Sequence, residues 1–392
     1  MVFRNAVAVA AVSIAFLLPA APAGAANVVI NALAGFDDPT AATPIGGNTG
    51  TTVGEQREIA FQYAADLWGA RLVSDVDIEV DAAFSSLSCG SSSGTLGSAG
   101  PNFANINTAN LPLSNTWYST ATADARAGSN LVGAGADIDA EFNADIGQPD
   151  CLAASSWYYG LDGNPSGGAL DFVTVLLHEL GHGLGFLTFV TTSSGAKFSG
   201  SDDTYMVNLE DHSTGEVWPD MNNGERQASA IDGTSFSTDL HWTGAAVNTA
   251  GAIAGFKAGL DTGVGAGGHV EIYAPNPLQP GSSVSHYATT LSPNELMEPS
   301  YTVPIHELEL SLSMMEDIGW PTPTPCGDAD QSGAIVATDA LIALRTAVGS
   351  STCVETACDP TGDGTVTASD ALLILTTAVA PGDPLRCGLS AS

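Results

Sequence analysis

The chain has 392 residues and sets 43 acidic side chains against nine basic ones, for a net charge of −34. Such a length can bury a sizeable core and hold more than one domain. So negative a charge speaks against nucleic acid or an anionic membrane surface as a partner. It suits a solvated surface in salty water, with part of the acid neutralised by bound calcium.

Residues 1–26 read as an export leader: a short basic start at Arg4, the apolar run "AVAVAAVSIAFLLPA", and "PAGAA" with small residues for cleavage near residue 25 or 26. The run is shorter than the roughly 20 residues of a spanning helix, and no later segment is long and apolar enough to cross a membrane. A secreted or extracellular protein is expected. The six cysteines, Cys89, Cys151, Cys326, Cys353, Cys358 and Cys387, all follow the leader. An even number in an exported chain suggests disulfides, with Cys89 paired to Cys151.

After the leader, residues 47–72 open on Gly and Thr and turn helical, with Ile59, Ala60, Tyr63, Ala64 and Leu67 at helical spacing. "SDVDIEVDAAF" alternates Val76, Ile78 and Val80 with acids, as a half-buried strand does. A Gly/Ser-rich loop with Cys89 follows, then a second strand, "GADIDAEFNADI", with Ile138 and Phe142 as its apolar positions. "GGALDFVTVLLHELGHGLGF" reads as a buried helix. Helix, strands and helix in this order predict an α+β domain. Residues 190–285 are Gly-rich and only weakly periodic, and no element is assigned there.

The helix carries His178, Glu179 and His182 in an H-E-x-x-H pattern. Residues i and i+4 project from one helix face, so both imidazoles can reach one metal ion. Glu179 can then serve a water at the open coordination position as general base. Gly181 is explained by close approach of another segment, and Gly185 by a sharp helix end. The third ligand must come from elsewhere: the place three residues beyond Gly185 is Thr188. His212, His241, His269, His286 and His306 are the candidates, with Glu298 and Glu307 as carboxylate fallbacks. His286 stands out because Met297 follows it within "NELMEP"; His241, in "DLHWTG", ranks second. Tyr301 is a candidate oxyanion donor.

"HELGHGLGF", a long insertion, a histidine and then "NELMEP" together resemble the leishmanolysin-type branch of the metzincin metalloproteases. The resemblance spans about residues 50–320. It implies a metzincin-like catalytic domain, a twisted sheet plus active-site helix, over residues 27–320. It further implies one catalytic Zn2+ on His178, His182 and His286, Glu179 as base, Met297 as the floor beneath the metal, and a protein or peptide substrate. The chain departs from that family in lacking its many disulfides and in carrying Tyr287 where tryptophan is usual.

"WPTPTPC" stiffens the chain at residues 321–325 and marks a boundary. Beyond it, residues 326–392 repeat themselves. Asp328, Asp330, Ser332, Ala334 (through its carbonyl) and Asp339 take the ligand positions of a calcium loop; Asp359, Thr361, Asp363, Thr365 and Asp370 repeat them. Each loop precedes one helix, with Leu341, Leu344 and Val348, or Leu372, Leu375 and Val379, on an apolar face. Tandem loop–helix repeats resemble a dockerin module: a small α-helical calcium-loop domain with two Ca2+ and a cohesin-like or cell-surface partner. Three functions fit: an exported zinc endopeptidase with a calcium-binding tail, a non-catalytic adhesion protein that keeps the fold, and a zinc amidase acting on cell-wall bonds. Retention of Glu179 favours the enzymes.

Overall fold

The computed structural model describes residues 24–133, 135–233, 238–252, 260–321, 326–330, 335–353, 355–361, 365–379 and 385. Helix α1 (Val53–Gly69) begins at a capping box: the Thr52 hydroxyl accepts the Glu55 N–H, and the Glu55 carboxylate accepts the Thr52 N–H. Its buried face is Ala60, Phe61, Ala64, Ala65 and Trp68, with Tyr63 and Leu67 half-buried. The expected stripe is therefore rotated by about one residue. The two largest apolar side chains, Phe61 and Trp68, set that phase, and the Trp68 indole N–H donates to Leu177 O at 3.1 Å.

A four-stranded sheet packs beside it. Strands β1 (Val28–Ala32), β2 (Ile78–Ser85), β3 (Gly97–Pro101) and β4 (Ile138–Asn143) lie in the order β1-β2-β4-β3. The first two pairings are parallel, and β3 runs antiparallel on the edge. Ile78, Val80, Ala82 and Phe84 of β2 and Ile138, Ala140 and Phe142 of β4 are buried on one side of the pleat, as the alternation demanded. The mixed helix and sheet architecture fits the α+β expectation. Helix α2 (Phe172–Leu184) crosses this sheet and carries the H-E-x-x-H residues. The last three residues of the expected leader are ordered against the domain: Ala25 bridges Val73, and Ala26 donates to Leu72 O at 2.9 Å and is buried.

The stretch left unassigned by sequence forms a second small sheet. Strands β5 (Leu209–Asp211), β6 (Glu216–Val217), β7 (Leu240–Trp242) and β8 (Val270–Glu271) run in the order β6-β5-β7-β8, all antiparallel. Tyr205, Trp218 and Trp242 are fully buried within it. Its apolar residues join the same core as α1 and α2.

Beyond residue 321 a separate apolar cluster forms from Ala340 and Ala343 of helix α3 (Ala337–Ala347), Ala371 and Ile374 of helix α4 (Ala368–Val379), and Cys358 from the short helical turn between them. The expected apolar faces are not this core. Leu341, Leu344, Val348, Leu372, Leu375 and Val379 are exposed, Val348 and Val379 at 71%. Small alanines let the two helices close on each other, which turns the leucines outward. Cys89 pairs with Cys151 as expected and Cys353 with Cys358; Cys326 is also disulfide-bonded. Cys387 lies outside the described residues. Among the described residues no helix is long and apolar enough to cross a membrane.

Candidate metal centre

Asp171 starts α2 by accepting the N–H and hydroxyl of Thr174 at 2.8 and 2.7 Å, and its carboxylate also accepts His306 Nε2 at 2.7 Å. Two turns on, His178 and His182 leave the same face of the helix. The helix ends at Gly185, whose φ of 123° admits the sharp exit the sequence suggested. Another segment, 104 residues beyond His182, brings His286 to the same place.

The three Nε2 atoms are each 3.2 Å from the other two. Each Nδ1 is held by a backbone carbonyl at 2.8 Å: His178 by Leu296, His182 by Phe186, His286 by Ser282. A carbonyl only accepts, so each Nδ1 carries the ring proton and each Nε2 presents a lone pair. Three lone pairs facing one another cannot hydrogen-bond among themselves; they fit a cation. Imidazole nitrogens about 2.0–2.1 Å from a tetrahedral zinc stand about 3.3–3.4 Å apart, close to the observed triangle. Burial drives the His182 imidazolium down to about 3, with the nearby His178 adding to the effect, and pushes His178 and His286 below their ordinary value too. All three rings stay neutral and free to ligate near pH 7.

Met297 is fully buried against α2 beside Gly181, and its backbone O accepts the Tyr287 N–H at 2.9 Å. A Cβ on Gly181 would lie 2.8 Å from Met297 Sδ, so the glycine is there to let the methionine close on the helix. The neighbouring Leu296 carbonyl orients His178, a role of main chain that no sequence pattern could reveal. Val284, two residues before His286, adopts φ 72° while fully buried. That conformation is costly for a β-branched residue. Its N–H to Tyr273 O (2.7 Å) and its carbonyl to the Tyr205 hydroxyl (2.9 Å) hold it in place.

Glu179 points from α2 toward β3. A Cβ on Gly97 would lie 2.8 Å from Glu179 Cγ. Burial pushes the Glu179 carboxyl up to about 8, opposed in part by a hydrogen bond from the Ala99 backbone. A divalent charge at the triad would draw that value back down. A cleft of about 1180 Å³ opens here, walled by residues 88–99 on one side and by segments around Ser282 and 295–303 on the other.

The remaining sequence candidates lie elsewhere. His241 is on β7 within the small sheet, away from the triad. Glu298 turns back to accept the Glu295 N–H at 2.9 Å, and Glu307 is exposed. The Tyr301 hydroxyl accepts the Asp171 N–H at 3.1 Å, tying the cleft rim to the start of α2.

In the C-terminal repeats, Asp328, Asp330 and Asp339 bring carboxylate oxygens within 4.8 Å of one another. In the second loop the Thr361 hydroxyl donates to Asp359 and Asp370 at 2.9 and 2.8 Å, and Thr365 is exposed. Asp339 and Asp370 also cap their helices, accepting the N–H groups of Val336 and Thr367 at 2.8 Å. Ser332, Ala334 and Asp363 lie outside the described residues. The oxygen-only donor set suits calcium. Set against known families, curated proteins and solved structures, the chain matches none of them.

Proposed function

We propose that the chain is an exported zinc endopeptidase, residues 27–320 forming the catalytic domain and residues 326–392 a calcium-stabilised module that tethers or localises it. The observation that carries this reading is the triangle of Nε2 lone pairs with Glu179 beside it in an open cleft. A zinc ion there would supply a Lewis acid for the scissile carbonyl and would make water a nucleophile at neutral pH.

The chain's own residues do the rest. Glu179 takes the proton of the attacking water and delivers it to the departing amine. The three backbone carbonyls keep each imidazole in the ligating tautomer, and Met297 fixes the helix against the turn. Strand β3 is bonded to β4 on one side only, and its other side borders the cleft. An extended peptide can add there as a further strand, which places a peptide bond near Glu179 and favours peptides over other amides. The exposed leucines of α3 and α4 offer the tail an apolar surface for a cohesin-like or cell-surface partner. The test is casein and peptide-library cleavage by the purified mature chain with and without a zinc chelator. Chelator-sensitive cleavage restored by Zn2+ supports the reading, and an inert zinc-loaded chain removes it.

A further inference from the structure

We propose that the small sheet carries a second site for a divalent transition-metal ion, formed by Glu210, His212 and His269 and serving to pin the insertion rather than to catalyse. One ligand atom from each of the three lies within 4.8 Å of the others. Glu210 belongs to β5, His212 follows that strand directly, and His269 immediately precedes β8. Glu210 and His212 are two residues apart, and His269, 57 residues further along the chain, joins them only because the sheet folds.

The hydrogen-bond accounting points to a missing partner. His212 Nδ1 is 3.3 Å from one Glu210 carboxylate oxygen, and His269 Nδ1 is 3.8 Å from the other. Both nitrogens are shielded from solvent and neither makes a hydrogen bond among the described residues. His241 adds a third imidazole to the wall. It lies directly opposite Glu210 in the ladder, its ring centre is 4.4 Å from that of His212, and it is 3% exposed. Both of its ring nitrogens are shielded from solvent as well, with a backbone contact to Thr238. Native proteins seldom bury this many unpaired polar atoms in one place. Two imidazoles and a carboxylate are a nitrogen-and-oxygen set of the kind that zinc, cobalt or copper selects, whereas calcium takes oxygen alone.

The place of the cluster gives the ion a task. His269 leads through β8 to Tyr273, whose N–H donates to His286 O at 2.9 Å. An ion joining Glu210 and His212 to His269 would fasten the strand on which the third triad histidine rests.

The test is a metal count on the full chain in excess Ca2+, which fills the C-terminal loops. Co2+ is added while visible absorption is followed, and chains dialysed against Zn2+ are assayed by elemental analysis. The wild-type chain should hold two equivalents. His178→Asn/His182→Asn and His212→Asn/His269→Asn should each hold one. A wild-type chain that saturates at one equivalent overturns the proposal, as does a His212→Asn/His269→Asn chain that still holds two. Should that pair fail to fold, Glu210→Gln supplies the same comparison with a smaller change. Because the readout is metal content, an inactive enzyme with two ions would defeat the peptidase reading and leave this site standing.

Discussion

The two histidine clusters use the same side chain in opposite ways. In the triad every Nδ1 is tied to a carbonyl at 2.8 Å, so the rings point one way and the Nε2 lone pairs meet at 3.2 Å. In the small sheet Nδ1 of His212 and of His269 lacks such an anchor among the described residues, and these atoms stand 3.3 and 3.8 Å from the two oxygens of Glu210. An anchored set is organised before an ion arrives; an unanchored one must be drawn together by it. The first arrangement suits chemistry and the second suits cross-linking.

The harshest way to break that contrast is to interchange the two clusters' importance. His286→Ala should reduce peptide cleavage to background. It should also weaken zinc binding beyond the roughly 10–100-fold typical of outer-shell losses. His241→Ala should leave cleavage in place. Isothermal titration with Zn2+ and a peptidase assay check both; the reverse result would move the catalytic metal to the small sheet. Next in size is Glu179→Gln, expected to lower kcat by about 10²–10⁴-fold while zinc content stays at the wild-type level. An amide keeps the shape and cannot carry the proton, so a mutant with more than a few per cent of wild-type turnover would remove Glu179 from the mechanism.

Met297→Ala probes how rigid the anchored site must be. Opening a void beneath α2 should cost about 2–5 kcal/mol in denaturant unfolding and should lower kcat without removing the metal. A smaller effect comes from Asp137, buried and accepting the Glu79 N–H at 2.9 Å. Burial raises its carboxyl from 3.8 to about 6, with the charges of Asp124 and Glu79 adding to the rise. The folded chain thus binds this proton more readily than the unfolded one. Its contribution to stability is full below about pH 4 and is lost as the pH rises through about 6. Asp137→Asn should narrow the stability difference between pH 5 and pH 8 by on the order of 1 kcal/mol, read by thermal melts in fixed excess Ca2+ and Zn2+. Least of all, ending the chain at Pro321 should leave peptide cleavage unchanged, since the C-terminal apolar cluster is separate from the main core.

What could be read from sequence was whatever one element encodes alone. Helix α2 declared itself through His178, Glu179 and His182 at fixed offsets, and β2 and β4 through strict alternation. His286 was singled out from a distance because Met297 followed it, not because periodicity located it. The strands of the small sheet are two or three residues long, too short for any period, and are held by loops and buried Trp218 and Trp242. Edge strand β3, "GSAGP", has the composition of a turn. Its pairing with β4 overrides that local preference. The leucines of α3 and α4 do lie on one face, but that face is exposed, and the helices meet through Ala340, Ala343, Ala371 and Ile374 instead. The second histidine cluster left only scattered histidines in the chain, all three of them candidates for the third triad ligand, with His241 ranked behind His286.

Gly97 shows how narrowly the cleft is drawn. Its backbone lies in an ordinary strand, so nothing in its conformation forbids a side chain; the obstruction is Glu179 alone. The side chain allowed at position 97 is therefore limited by a residue on another element. A single methyl group added there would displace the Glu179 carboxylate without touching the three histidines, and pairing it with the shorter aspartate at position 179 would trade one displacement for another. Position 97 thus sets where the Glu179 carboxylate sits, from the opposite wall of the cleft.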